Sequence, residues 1–131
     1  MQEFRKLLVW RKSMELSKKV WKATSVSYSP LTTNHFPTEE RFGLAAHIRK
    51  TMLSVPSNIA EGCGRNSEKE FFHFLNIAQG SASELDCQLE LAHELTYMID
   101  TEYDELRKGI EEVQRMLRSL MELSKNSITN H

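Results

Sequence analysis

Few residues in this chain have a spacing that could support chemistry. The sharpest are two Glu-x-x-His units, Glu70/His73 and Glu90/His93. This is the ligand spacing of di-metal sites in helical bundles, where each unit stands on a different helix and faces the other. Here both fall on one helical pattern, twenty residues apart, which is about 30 Å of helical rise. One subunit cannot bring them to one metal, so these histidines are expected to face solvent. Ser54, Ser57, Ser67, Ser81 and Ser83 have no histidine at a spacing that marks a base. Gly62-Cys63-Gly64 precedes a helix start, as a phosphate loop would. It lacks the Gly-Lys-Ser/Thr ending and the preceding strand. The residues therefore predict no enzyme, no metal and no cofactor.

Binding is the better-supported class. Residues 1–50 hold ten Lys/Arg against four Glu, a net of +6, and residues 51–131 hold seven against fourteen, a net of −7. The candidate nucleic-acid surface is Arg11, Lys12, Lys18, Lys19, Lys22, Arg49, Lys50 and Arg65. Such a surface would bind RNA or DNA through phosphates, with weak sequence preference and steep salt dependence. The alternative is an interaction scaffold that never touches nucleic acid. Its basic residues would answer the acidic run Glu102, Asp104, Glu105, Glu111 and Glu112, in a neighbouring copy or a partner. Arg65 also has Glu61 within reach across the Gly62 turn.

Elements that would position these residues are helices. The chain has 131 residues, 40% hydrophobic and 27% charged, with only 5 Gly and 3 Pro. That suits one domain with uninterrupted helices. The spacing predicts helices over about 7–25, 39–61, 68–98 and 102–124, with a loop over 27–37 and a frayed tail from Lys125 to His131. Val9, Ser13, Leu16, Val20 and Ala23 recur at steps of four and three. So do Ala45, Ile48, Met52, Val55 and Ile59, and so does Phe71 through Ala92. Leu106, Ile110, Val113, Leu117 and Leu120 supply the fourth seam. The expectation is an all-α, antiparallel up-down-up-down, left-handed four-helix bundle spanning 1–131. No apolar run is long enough to cross a membrane. Cys63 and Cys87 form no ligand spacing, and reduced thiols in a cytoplasm fit them.

Several residues are expected to be structural. Pro56 should kink the second helix, and Thr38 should cap its start. Gly62 and Gly64 should end it with positive φ. Asn58 and Glu61 should tie that end to the start of the third helix. Ser67 and Glu70 should form a capping box. On the first helix Trp10, Met14 and Trp21 make a second apolar stripe away from the seam. On the second, Ala46, Leu53 and Ala60 repeat every seven residues. A stripe on one copy fitting a groove on the next would close a ring.

From Ser54-Val55-Pro56-Ser57-Asn58-Ile59-Ala60-Glu61-Gly62, through Gly64-Arg65, to Phe74-Leu75, Gly80-Ser81 and Glu84-Leu85, the chain resembles a known family. It is the four-helix bundle family encoded in bacterial 23S rRNA intervening sequences. Leu7-Leu8-Val9-Trp10, Phe36-Pro37, Glu40, Phe42-Gly43-Leu44, Gln88-Leu89 and Leu91-Ala92 extend the likeness over nearly the whole chain. The longer Ser27–Asn34 loop and Ala46-His47 depart from it. The resemblance implies a bundle that is frequently a homopentamer. It also implies kinship to the accessory protein of diversity-generating retroelements, hence a partner such as a reverse transcriptase together with nucleic acid.

Overall fold

A computed structural model of the chain describes residues 2–27 and 35–129. Four helices carry the core: α1 (Leu8–Ala23), α2 (Leu44–Cys63), α3 (Glu68–Glu94) and α4 (Asp100–Thr129). α1 packs against α2 and α4, and α3 likewise packs against α2 and α4. The expected seams are buried, apart from Leu120 at the end of the fourth, which is half-buried, because apolar residues at steps of three and four share one side of a helix. Cys63, Met98 and Tyr103 extend that core at the helix ends.

The ends of the helices differ from expectation in informative ways. Residues 39–43 do not belong to α2: a 3-10 turn at Thr38–Glu40 precedes Gly43, and α2 begins at Leu44. The start of α2 is held by the Glu40 carboxylate, which accepts from the Leu44 N–H at 3.2 Å, and not by Thr38. α4 continues past Lys125 to Thr129, so the expected frayed tail is helix, with 130–131 outside the described residues. Most of the expected 27–37 loop, residues 28–34, also lies outside them. Its two ends pair as short parallel strands, β1 (Val26–Ser27) and β2 (Phe36–Pro37), with Val26 opposite Phe36. β2 delivers Phe36 into the core, where it is fully buried against the Tyr97 ring.

Neither Gly62 nor Gly64 has positive φ. Gly62 lies inside α2, and Gly64 caps it at φ −81°, ψ −6°. The reason for glycine at position 62 is space. A Cβ there would stand 3.0 Å from Phe74 Cβ and 3.2 Å from Phe71 Cδ1. Pro56 is buried, and α2 runs through it. Ser67 caps α3 by accepting from the Glu70 N–H at 3.2 Å, while the Glu70 carboxylate faces the Ser67 hydroxyl instead of its backbone.

The one left-handed residue among those described is Thr96, at φ 64°. It follows the Leu95 cap, with Tyr97 N–H donating to Ala92 O and Thr96 N–H to His93 O, both at 2.9 Å. That is a Schellman closure, where glycine is usual. A β-branched residue there costs about 1–2 kcal/mol, and glycine's greater unfolded-state entropy returns part of that. Thr96→Gly is therefore expected to stabilise the chain by about 0.5–1 kcal/mol. Thermal melts of the two proteins check it, and a lower melting point for Thr96→Gly would contradict the reading.

Candidate nucleic-acid and assembly surfaces

The eight candidate cations divide into two groups. Lys12 Nζ lies 3.4 Å from Glu112 and 3.8 Å from Glu15, and Lys19 Nζ lies 2.9 Å from Glu105. The hydrogen bond to Glu105 raises the Lys19 pKa above its ordinary value. These pairs form because α1 and α4 are neighbours with the basic flank of one along the acidic flank of the other. Arg49 is committed to the fold. Its Nε donates to Thr24 Oγ1 and its guanidinium to the Trp21 carbonyl, both at 2.9 Å, closing the end of α1. Arg65 pairs with Glu61 and stacks over Phe74. The second group is Arg11, Lys18, Lys22 and Lys50. Arg11, Lys18 and Lys22 fall in one line on the solvent side of α1 at steps of seven and four. Among the described residues, Arg11, Lys18 and Lys50 have no ion pair within the chain.

The Glu-x-x-His units stay apart on α3. His73 is exposed, edge-on to Phe74. His93 is not the solvent-facing residue expected: its Nε2 meets Asp100 Oδ1 at 2.6 Å and its ring stacks on Tyr103 at 4.2 Å. It joins the end of α3 to the start of α4. Among the described residues no three His, Cys, Asp or Glu come together as a metal ligand set. The Cys63 thiol is buried, and burial pushes its pKa up.

Asn58 does not tie α2 to the start of α3. Its Nδ2 donates within α2, to Ser54 O at 2.7 Å and Ser54 Oγ at 3.0 Å. Ser54 Oγ then meets Ser81 Oγ at 2.8 Å, so the bridge reaches the middle of α3. Asn58 lies about one turn before Gly62, and its amide is spent on Ser54 of its own helix.

The two apolar stripes lie side by side in one chain. Arg49, which reaches α1, stands between Ala46 and Leu53 on α2, so these residues and Ala60 flank the α1–α2 seam. Trp10 is half-buried: it packs on the chain's own core and meets the Phe4 ring edge-on at 4.9 Å. Met14 is half-buried, and Trp21 lies under the Arg49 guanidinium. The freely offered apolar surface there is Leu53, 54% exposed, with the edge of Trp21.

Sequence reading missed a third apolar stripe. Phe74, Ile77 and Leu91 on α3 each stand one residue before a core position, on a line with the polar Glu70, Ser81, Glu84 and Gln88, and Leu95 caps the helix on the same side. Ile77, Leu91 and Leu95 are exposed. Across the bundle, between α1 and α4, an apolar groove of about 430 Å³ is lined by Leu7, Leu8, Met116, Leu120 and Leu123, with Arg115 at its rim.

The family model for the 23S rRNA-intervening sequence protein matches residues 5–119. Among solved structures, the chain is similar to a protein of unknown function from the S23 ribosomal protein family of Bacteroides thetaiotaomicron. The TM-score is 0.73 at 23% identity, over 88% of this chain and 96% of that one. None of the curated proteins matches.

Proposed function

The chain belongs to the 23S rRNA-intervening sequence protein family, and on that premise we propose a non-enzymatic accessory protein that binds nucleic acid through α1. The observation that carries this is the solvent-facing line of Arg11, Lys18 and Lys22. Two of these three, Arg11 and Lys18, and also Lys50 on α2, have no ion pair among the described residues. Lys12, Lys19, Arg49 and Arg65 leave the candidate set, because their charges are already engaged. The contact is with phosphates, so structured RNA and duplex DNA bind alike. Reversing all three charges, as in Arg11→Glu/Lys18→Glu/Lys22→Glu, is expected to weaken binding at least tenfold at low salt. It is also expected to reduce the salt slope by about 3. Gel shift at two salt concentrations measures this. Absence of binding by the unmodified protein at low salt overturns it.

In the same reading the bundle is up-down-up-down with left-handed crossings. Support comes from four antiparallel pairings: Gln2 with Cys63, Ser54 with Ser81, Gln79 with Gln114, and Lys12 with Glu112. The protein works as a cyclic homo-oligomer, a pentamer by likeness to its family, in the cytoplasm, with a nucleic-acid enzyme such as a reverse transcriptase as a further partner. No helix among the described residues is long and apolar enough to cross a membrane.

The second reading is a scaffold for protein alone. The Lys12–Glu112 and Lys19–Glu105 pairs favour it, since they use part of the basic half inside the chain. Affinity capture from the native host with nuclease added separates the two: partners that survive nuclease support the scaffold.

A further inference from the structure

We infer that the valley between α1 and α2 takes an unpaired nucleic-acid strand, with a base on Trp21 and Leu53 and the phosphates on Lys18 and Lys50. This rests on the nucleic-acid reading above and names the class of strand that the same surface selects. The bond from Arg49 to the Trp21 carbonyl sets the relative level of the two helices, and Gln2 meets Cys63 at their other ends. Exposed Lys50 follows Arg49 along α2, and exposed Lys18 stands one turn before Trp21 on α1. Leu53, one turn past Arg49, comes level with Ser17 and Lys18. Trp21 keeps 36% and Leu53 54% of its surface exposed between these cations. A single-strand site combines these two parts, a cationic track for the backbone and an aromatic floor for a base. The Arg49 guanidinium lies 5.5 Å from the Trp21 ring centroid, which steadies the floor and adds a second planar group to it.

Charge singles this valley out. From Leu44 to Ala60, α2 carries no carboxylate, and α1 carries one, Glu15, which stands beside Lys12 on the α4 side. Between α1 and α4, by contrast, Glu105 and Glu112 answer Lys19 and Lys12. On the α3 side of α2, Glu70 and Glu84 are exposed. The carboxylates at the two ends of the valley are engaged, Glu61 with Arg65, and Glu39 and Glu40 beside the Tyr97 hydroxyl. Lys22 also acts on Glu102 of α4, so Lys18 and Lys50 carry the argument. A second copy that met this valley with its own would set cations against cations, which disfavours it as the occupant. A polyanion has no such penalty. Paired and unpaired strands both offer phosphates to the α1 line, but a duplex has its bases already stacked. An unpaired strand alone can add a base to the contact.

The test compares a labelled RNA of about 12 nucleotides, without self-complementarity, with the same strand in a blunt RNA duplex, by fluorescence anisotropy at low salt. The single strand is expected to bind the unmodified protein at least about fivefold tighter, although the duplex carries twice the phosphates. Trp21→Leu and Leu53→Ser change no charge. Each is expected to weaken single-strand binding about three- to tenfold and so to remove the preference. Leu53 is exposed, so Leu53→Ser keeps the test decisive if Trp21→Leu fails to fold. In a Trp10→Phe protein Trp21 is the sole tryptophan. Its fluorescence is expected to fall on adding the single strand and to hold on adding the duplex. Equal binding of the two RNAs, or single-strand binding that neither substitution changes, overturns the inference and leaves the phosphate reading standing. An oligomer that Leu53→Ser dissociates, with single-strand binding unchanged, overturns it too and assigns the valley to a second copy. Binding of neither RNA removes the nucleic-acid reading and the inference with it.

Discussion

Phe36→Ala is expected to lower the unfolding free energy by about 3–5 kcal/mol, the range for deleting a fully buried phenylalanine side chain. Phe36 has no exposed surface, and its ring centroid lies 5.1 Å from that of Tyr97. Tyr97 in turn donates its hydroxyl to Glu40 Oε2 at 3.2 Å, while Glu40 Oε1 holds the first N–H of α2. One aromatic therefore docks the strand pair, the entry to α2 and the α3–α4 turn onto a single end of the bundle. Truncation leaves a cavity that these three separate segments cannot collapse to fill. Urea titration should show a midpoint well below that of the unmodified protein at a similar slope, and a melting point lower by about 10 °C or more. A change under about 1 kcal/mol would mean that residues 36–40 are not docked.

That site also shows where sequence reading stops. The four core seams were legible because step patterns of three and four need only local information, and burial follows from them directly. Phe36 has no such pattern around it: a lone aromatic before a proline reads as the edge of a loop. The 39–43 segment carries helix-start signals, and two glutamates there looked like dipole partners. In three dimensions one of them, Glu40, is the cap, and a Cβ on Gly43 would come 2.5 Å from its Oε1. The basic surface was legible as composition only. Whether Lys12 is free depends on Glu112, one hundred residues away, and on α1 and α4 being neighbours. The α3 stripe was hidden for a related reason. Its apolar members Phe74, Ile77 and Leu91 each stand one position before a core residue, so on the sequence they read as part of the seam.

Gly62→Ala is expected to destabilise the fold by about 1–2 kcal/mol, against the direction that helix propensity alone gives. Inside a helix, replacing glycine by alanine contributes about 1 kcal/mol of stability. Opposing it is a methyl group placed 3.0 Å from Phe74 Cβ and 3.2 Å from Phe71 Cδ1. A Cβ atom moves only with its backbone, so relief requires α2 and α3 to separate where Phe71 is buried. Overpacking of this kind costs about 1–3 kcal/mol, and at the α2–α3 contact it should fall in the upper part of that range. Gly64→Ala is the control two residues on. Its backbone is helical, and the nearest atom to an added Cβ, Glu61 O, is at an ordinary 3.5 Å. It is expected to be neutral or stabilising by up to about 1 kcal/mol. The two variants should therefore move the denaturation midpoint in opposite directions. If both raise it, the close approach of α2 and α3 at Gly62 is not what the residue is there to permit.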